Sequence, residues 1–194
     1  MYQFIESICC QDGDVLNLDA HQQRVDSTFS KFFKAPSFRL KNLLFNVPAS
    51  GKHKCRIIYD EEVQSIEFDK YEKKEISSLK FVEADDLIYD FKKKDRSKLT
   101  SLYEQRGAAD DIIVVKNGLC TDSYFANLAL FDGEKWLTPK SPLLKGTKRQ
   151  KLLDEGRLEE RDIMKSEIGK ITKVSLINAM LDLGEVEILT NRVV

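Results

Sequence analysis

The chain has 194 residues, 42% of them hydrophobic, enough to bury the core of one domain or of two small lobes. Its 31 basic side chains nearly balance 32 acidic ones, and a net charge of -1 excludes the field that gathers nucleic acid or a membrane surface. A small-molecule partner is expected instead. No apolar run approaches the roughly 20 residues of a membrane helix. The opening Met1-Tyr2-Gln3-Phe4-Ile5-Glu6 lacks the basic-then-apolar pattern of an export signal, so the expected location is the cytoplasm. Cys9, Cys10, Cys55 and Cys120 show no spacing suited to zinc or to thiol-disulfide exchange. They are predicted to be reduced and mostly buried, and no metal site is expected.

Tyr2 to Cys10 reads as a strand, and Asp12-Gly13-Asp14 supplies turn chemistry before Val15-Leu16-Asn17-Leu18, which makes a hairpin. Asp19 is placed to cap a helix whose apolar positions Val25, Phe29, Phe32 and Phe33 run on until Pro36. Lys54 to Tyr59 and Val63 to Phe68 alternate like two strands joined by an acidic turn. Beyond about Tyr71 the order changes. Short strands are predicted at Ile76 to Val82, Asp111 to Lys116, Phe125 to Phe131 and Trp136 to Thr138, with helices over Arg96 to Arg106 and from Gly146 to a capping Gly156. Lys170 to Met180 and Glu185 to Val194 fit helix or strand. The whole reads as an α/β chain with a small amino-terminal lobe, residues 1–70, and a larger lobe with mixed sheets, residues 71–194.

Three clusters can carry chemistry. His21 and Arg24 stand three residues apart on one helix face, and an arginine there can hold a phosphate in a bidentate fork. In Tyr89-Asp90-Phe91-Lys92-Lys93-Lys94-Asp95-Arg96 a lysine near other cations is pushed toward the uncharged state that an aldehyde needs. Leu143-Leu144-Lys145-Gly146-Thr147-Lys148-Arg149 is a glycine turn leading into a helix, whose first amide groups make an anion site. Each alone has an ordinary explanation: a solvated helix face, a hydrated lysine loop, a common glycine turn.

In their order and spacing these clusters resemble the signature of fold type IV pyridoxal phosphate enzymes, the class IV aminotransferase and 4-amino-4-deoxychorismate lyase family. The resemblance runs from Phe4 to about Val186. Phe4-Ile5-Glu6-Ser7-Ile8 with Asp12-Gly13 is similar to the family's opening strand and turn. The resemblance implies that Arg24 contacts the cofactor phosphate. It selects Lys92 as the lysine that bonds the cofactor aldehyde, three residues before Asp95, where the family carries Asn, and four before Arg96. Ala109 to Val115 looks like the strand before the family's acidic residue, which here is Asp122 in place of the usual Glu, five residues before Asn127. That acid pairs with the pyridine nitrogen and keeps it protonated. Gly146, Thr147 and Lys148 resemble the phosphate turn. The shortened first lobe is a second departure from the family.

Leu176-Ile177-Asn178-Ala179-Met180 looks most like the carboxyl-terminal segment of the lyases. The expected activity is therefore release of pyruvate from 4-amino-4-deoxychorismate to give 4-aminobenzoate, with Lys92 as anchor and general base. Amino-group transfer between an amino acid and a 2-oxo acid is the alternative, with Arg56 as a candidate clamp for a substrate carboxylate. A catalytically idle binding protein that keeps the fold is the third reading. The resemblance also implies a homodimer.

Overall fold

Phe4–Gln11 (β1) carries Phe4 and Ile8 on one face and Ile5 and Cys9 on the other, and both faces are buried. It pairs antiparallel with Lys52–Tyr59 (β3) over its whole length, from Phe4 opposite Tyr59 to Gln11 opposite Lys52. Two further strands complete a four-stranded sheet, Asp14–Val15 (β2) beside β1 and Val63–Lys70 (β4) beside β3. Asp12 and Gly13 both take positive φ between paired Gln11 and Asp14, the pattern of a tight primed hairpin turn. These features come from a computed structural model that describes residues 2–194.

The helix Leu18–Phe32 (α1) covers one sheet face. Val25 and Phe29 join Phe4, Ile8, Cys10, Leu40, Cys55, Ile57 and Tyr59 in a buried cluster, with Phe32 and Phe33 packed against it. Asp19 does not cap this helix. Asn17 precedes it in the left-handed region at φ 55, without a side-chain capping bond, and so turns the chain into the helix at Leu18. Asp19 sits in the first turn, where its charge faces the positive end of the helix dipole.

The chain divides into two compact units. The first comprises residues 2–73 together with Phe91–Asp95. That short segment lies along the edge of β1: Ile5 N donates to Lys92 O at 2.9 Å, Lys94 N donates to Gln3 O at 2.8 Å, and Phe4 bridges Lys93. The ring of Phe91 meets Phe32 edge-on at 4.8 Å.

The second unit comprises Lys74–Asp90 and Arg96–Val194. Leu79–Glu83 (β5) and Asp111–Lys116 (β6) pair in parallel, and Leu119–Cys120 (β7) pairs antiparallel with β6. The crossover that a parallel pair requires contains Ser97–Tyr103 (α2), shorter than predicted because its last residues tighten into a 3-10 turn, Glu104–Arg106. Leu99 of α2 packs with Val82, Ile112 and Val114.

A five-stranded sheet follows, in the order Glu159–Arg161 (β10), Trp136–Pro139 (β9), Asn127–Phe131 (β8), Lys173–Ile177 (β11), Glu187–Leu189 (β12). The two ambiguous tail segments thus resolve as strands. Thr147–Asp154 (α3) lays Leu152 against Ala129 and Ile177. Gly156, at φ 66, sits where its backbone closes the end of that helix, with Gly156 N on Leu153 O and Arg157 N on Leu152 O. No described helix is long and apolar enough to cross a membrane.

Candidate active site

In the first unit the site is built around a carboxylate. Glu6 alternates with Phe4 and Ile8 on the β1 face that α1 covers, and it is 0% exposed. One turn of α1 aims two groups at it. Arg24 donates from Nε to Oε1 at 2.7 Å and from Nη2 to Oε2 at 2.5 Å. His21 Nδ1 lies 2.6 Å from Oε2, and since a carboxylate only accepts, this contact requires the proton on Nδ1. Burial would raise the Glu6 pKa, but the guanidinium and the imidazole outweigh it and bring it down to about 2. Burial also pushes the His21 pKa down, with Glu6 opposing the shift and the charges of Arg24 and Lys92 adding to it. His21 is therefore a neutral donor at pH 7.

Lys92 is half-buried in the segment hydrogen-bonded to Ile5. Its two neighbours are engaged elsewhere. Lys93 Nζ stands 5.4 Å from the centre of the Tyr2 ring, and Lys94 Nζ donates to Gln3 Oε1 at 2.8 Å. The charge of Lys92 helps to lower the His21 pKa. Arg56 lies at mid-β3, in register with Ser7 on one side and Glu67 on the other, on the sheet face away from Glu6. Its Nε is buried without a hydrogen-bond partner.

The second unit holds the acid and the turn. Asp122 is 5% exposed and fixed through its own backbone, whose carbonyl accepts from Val114 N. Its Oδ1 accepts from Asn127 Nδ2 at 2.7 Å and its Oδ2 from Leu144 N at 2.9 Å. Asn127 Nδ2 also donates to Leu144 O at 2.7 Å, so one amide ties the acid to the turn. Burial pushes the Asp122 pKa up to about 7, against the pull of Leu144 N, Asn127 and the Arg149 charge. Asp111, buried at the start of β6, accepts from Tyr124 N at 3.3 Å and steadies the same segment.

Gly146 caps α3 at φ -75, a conformation open to any residue, so room rather than backbone freedom selects glycine here. A Cβ at this position would stand 2.0 Å from Asn127 Oδ1. Thr147 opens α3 and is buried, and Lys148 Nζ reaches Asp182 Oδ2 at 3.2 Å. Arg149 turns inward, donating to Pro139 O at 2.8 Å and Glu160 Oε1 at 2.7 Å. The first-turn N–H groups of such a helix have no intrahelical acceptor and offer donors to an anion. The four cysteines are free and buried, and no cluster of His, Cys, Asp or Glu among the described residues could hold a metal.

Arg24 and Lys92 thus belong to the first unit, with Arg56 on the sheet face away from Glu6 and Arg24, and Asp122, Gly146, Thr147 and Lys148 belong to the second. Sequence reasoning did not assign Glu6 and Asn127 to the site. A charged residue at an interior position of an alternating strand was the available sign for Glu6, and the five-residue spacing from Asp122 was the sign for Asn127.

The first unit thus carries a half-buried lysine and arginine, and the second a buried acid with a raised pKa and a glycine that opens a helix. Residues 3–188 match the family model for Amino-transferase class IV. An uncharacterized protein from Haemophilus influenzae is 36% identical over 185 residues, 93% of this chain and 98% of its own length. The crystal structure of a candidate 4-amino-4-deoxychorismate lyase from Haemophilus somnus is similar at a TM-score of 0.88 and 30% identity, over 94% of this chain and 98% of that one. A hypothetical aminotransferase from Mycobacterium tuberculosis, in its PLP-bound form, shares the fold at a TM-score of 0.77 and 16% identity, over 98% of this chain and 81% of that one. The chain belongs to the class IV aminotransferase family, and its fold is that of the fold type IV pyridoxal phosphate enzymes.

Two outcomes follow from the geometry. Gly146→Ala must displace Asn127 and so loosen both Asp122 and Leu144; a loss of about 1–3 kcal/mol in chemical denaturation is expected, against a few tenths for Gly169→Ala, where nothing lies within 4 Å. Asp122 has a folded pKa raised above its unfolded value, so its contribution is complete below about pH 4 and is lost as pH rises through about 7. Without cofactor, Asp122→Asn should remove that fall in stability between pH 4 and 7, measured by urea denaturation at a series of pH values.

Proposed function

We propose that the chain binds pyridoxal 5'-phosphate and acts as a 4-amino-4-deoxychorismate lyase, releasing pyruvate and 4-aminobenzoate, a precursor for folate synthesis. The observation that carries the cofactor reading is the donor set. A half-buried lysine, a buried histidine and a half-buried arginine in one unit suit an aldehyde with a phosphate tail, and a buried acid suits a protonated ring nitrogen. Asp122 is held near neutrality by burial, so it gains most from a cationic partner. The lyase reading is supported by the Haemophilus somnus structure, which carries that name at 30% identity over nearly the full length of both chains. A cytoplasmic homodimer acting on a small molecule belongs to the same proposal.

In this reading Lys92 would hold the aldehyde, and Arg24 and the amides of Thr147 and Lys148 would be the phosphate donors, while Gly146 leaves room for Asn127, which holds Asp122 and the Leu144 turn. Asp122 keeps the ring nitrogen protonated. When bound, the cofactor supplies an aldehyde for the substrate amine and a ring that accepts electrons from the bond being broken. Uncharged Lys92 would take the proton from the substrate ring carbon that bears the nitrogen. The C–O bond to the side chain would then break as the ring becomes aromatic, and the proton would pass to the departing enolpyruvate, which becomes pyruvate. Arg56, with its buried and unpartnered Nε, holds a substrate carboxylate.

That Arg56 donor equally suits the carboxylate of an amino acid, which is the observation favouring amino-group transfer as a second reading. The idle-protein reading draws on Asp122, one methylene shorter than the usual Glu and with each oxygen already accepting an N–H. A single comparison separates the three. Wild-type protein loaded with pyridoxal phosphate should form pyruvate and 4-aminobenzoate in equal amounts from 4-amino-4-deoxychorismate, and Lys92→Ala should lower that rate by roughly a thousandfold or more. Faster amine transfer from a panel of L- and D-amino acids to 2-oxo acids would establish the second reading. Bound cofactor with neither activity would establish the third.

A further inference from the structure

We propose that Glu6 is a positioning residue, with His21 as its helper, which fixes the plane and direction of the Arg24 guanidinium so that this arginine grips a phosphate. The inference rests on the cofactor reading above and gives Glu6 no contact with the cofactor itself.

Glu6 occupies a place where an apolar side chain would serve the fold. It lies between Phe4 and Ile8 on the covered face of β1 and opposite Ile57, all 0% exposed. A carboxylate there loses its hydration, and a buried ion pair returns little more stability than a well-packed apolar side chain. What the acid adds is direction. Two parallel bonds from Nε and Nη2, at 2.7 and 2.5 Å, hold the guanidinium in the carboxylate plane, which a single contact would not do. His21 Nδ1, at 2.6 Å from Oε2, stops the carboxylate from swinging about its own bond. The Arg24 backbone is tied down as well, since Thr28 Oγ1 donates to its carbonyl at 2.9 Å.

An arginine held in this way gives up little further rotamer freedom when it meets an anion. The same strand also sets the position of Lys92, whose carbonyl accepts from Ile5 N, next to Glu6 in the chain. β1 therefore acts as a ruler between the group that bonds the aldehyde and the group that holds the phosphate. Charge alone argues the opposite way, because a carboxylate behind the guanidinium weakens its pull on an anion. The two effects predict opposite signs for removal of the Glu6 charge.

The test is titration of cofactor-free protein with pyridoxal phosphate and, separately, with pyridoxal, which has the aldehyde but no phosphate, followed by absorbance. Thermal unfolding of each cofactor-free protein is recorded alongside. Glu6→Gln should raise the Kd for pyridoxal phosphate roughly tenfold or more and change the Kd for pyridoxal less than about threefold. Glu6→Asp, one methylene shorter, should fall between, and it carries the same comparison if Glu6→Gln does not fold. Equal weakening of both ligands, which a merely structural role produces, overturns the inference, and so does tighter phosphate binding in Glu6→Gln. Wild-type protein that binds neither ligand overturns the cofactor reading and this inference with it.

Discussion

The contact between Glu6 and Arg24 is the constraint from which the first unit is organised. A carboxylate with no access to water must be matched at close range, and α1 matches it from two positions one turn apart, His21 and Arg24. That requirement fixes the rotation of α1 on the sheet, because a helix turned by even a third of a revolution would leave a buried charge alone. Val25 and Phe29 reach the apolar cluster in the same orientation, so polar pairing and apolar packing select one arrangement.

The second unit buries an acid with the opposite electrostatic result. Asp122 receives neutral N–H groups from Asn127 and Leu144, with Arg149 acting only at a distance, and burial prevails, bringing its pKa up to about 7. Glu6, in direct contact with a guanidinium, is brought down to about 2. The difference lies in the partner. A fork of charged donors compensates for lost hydration, and neutral amides compensate only in part. One acid is thereby spent on structure and orientation, and the other is left poised to gain from a cation.

Much of this was legible in the residues. The run from Tyr2 to Cys10 before a turn located β1, alternation in Lys54 to Tyr59 located β3, and the apolar run at Asp111 to Lys116 located β6, because strand faces impose a period of two or full burial. The start of α1 was misplaced because the left-handed backbone of Asn17 leaves no trace in hydrophobic spacing. β8 begins at Asn127 rather than Phe125 because Ser123 N bonds Ala126 O and holds that stretch in a turn. Of the site, the order of Arg24, Lys92, Asp122 and Gly146 was readable as a family resemblance. The partners that hold them were not: Glu6 stands 18 residues from Arg24, and Leu144 stands 17 from Asn127, and nothing local in the chain announces such pairs.

The central claim is that one ε-amino group, that of Lys92, bonds an aldehyde. Its most direct measurement is borohydride reduction of the protein after incubation with pyridoxal phosphate, followed by proteolysis and mass mapping of the reduced adduct. A single adduct on Lys92, with Lys93 and Lys94 unmodified, is the predicted result. An adduct on either neighbour, or label spread over surface lysines with none on Lys92, would contradict it.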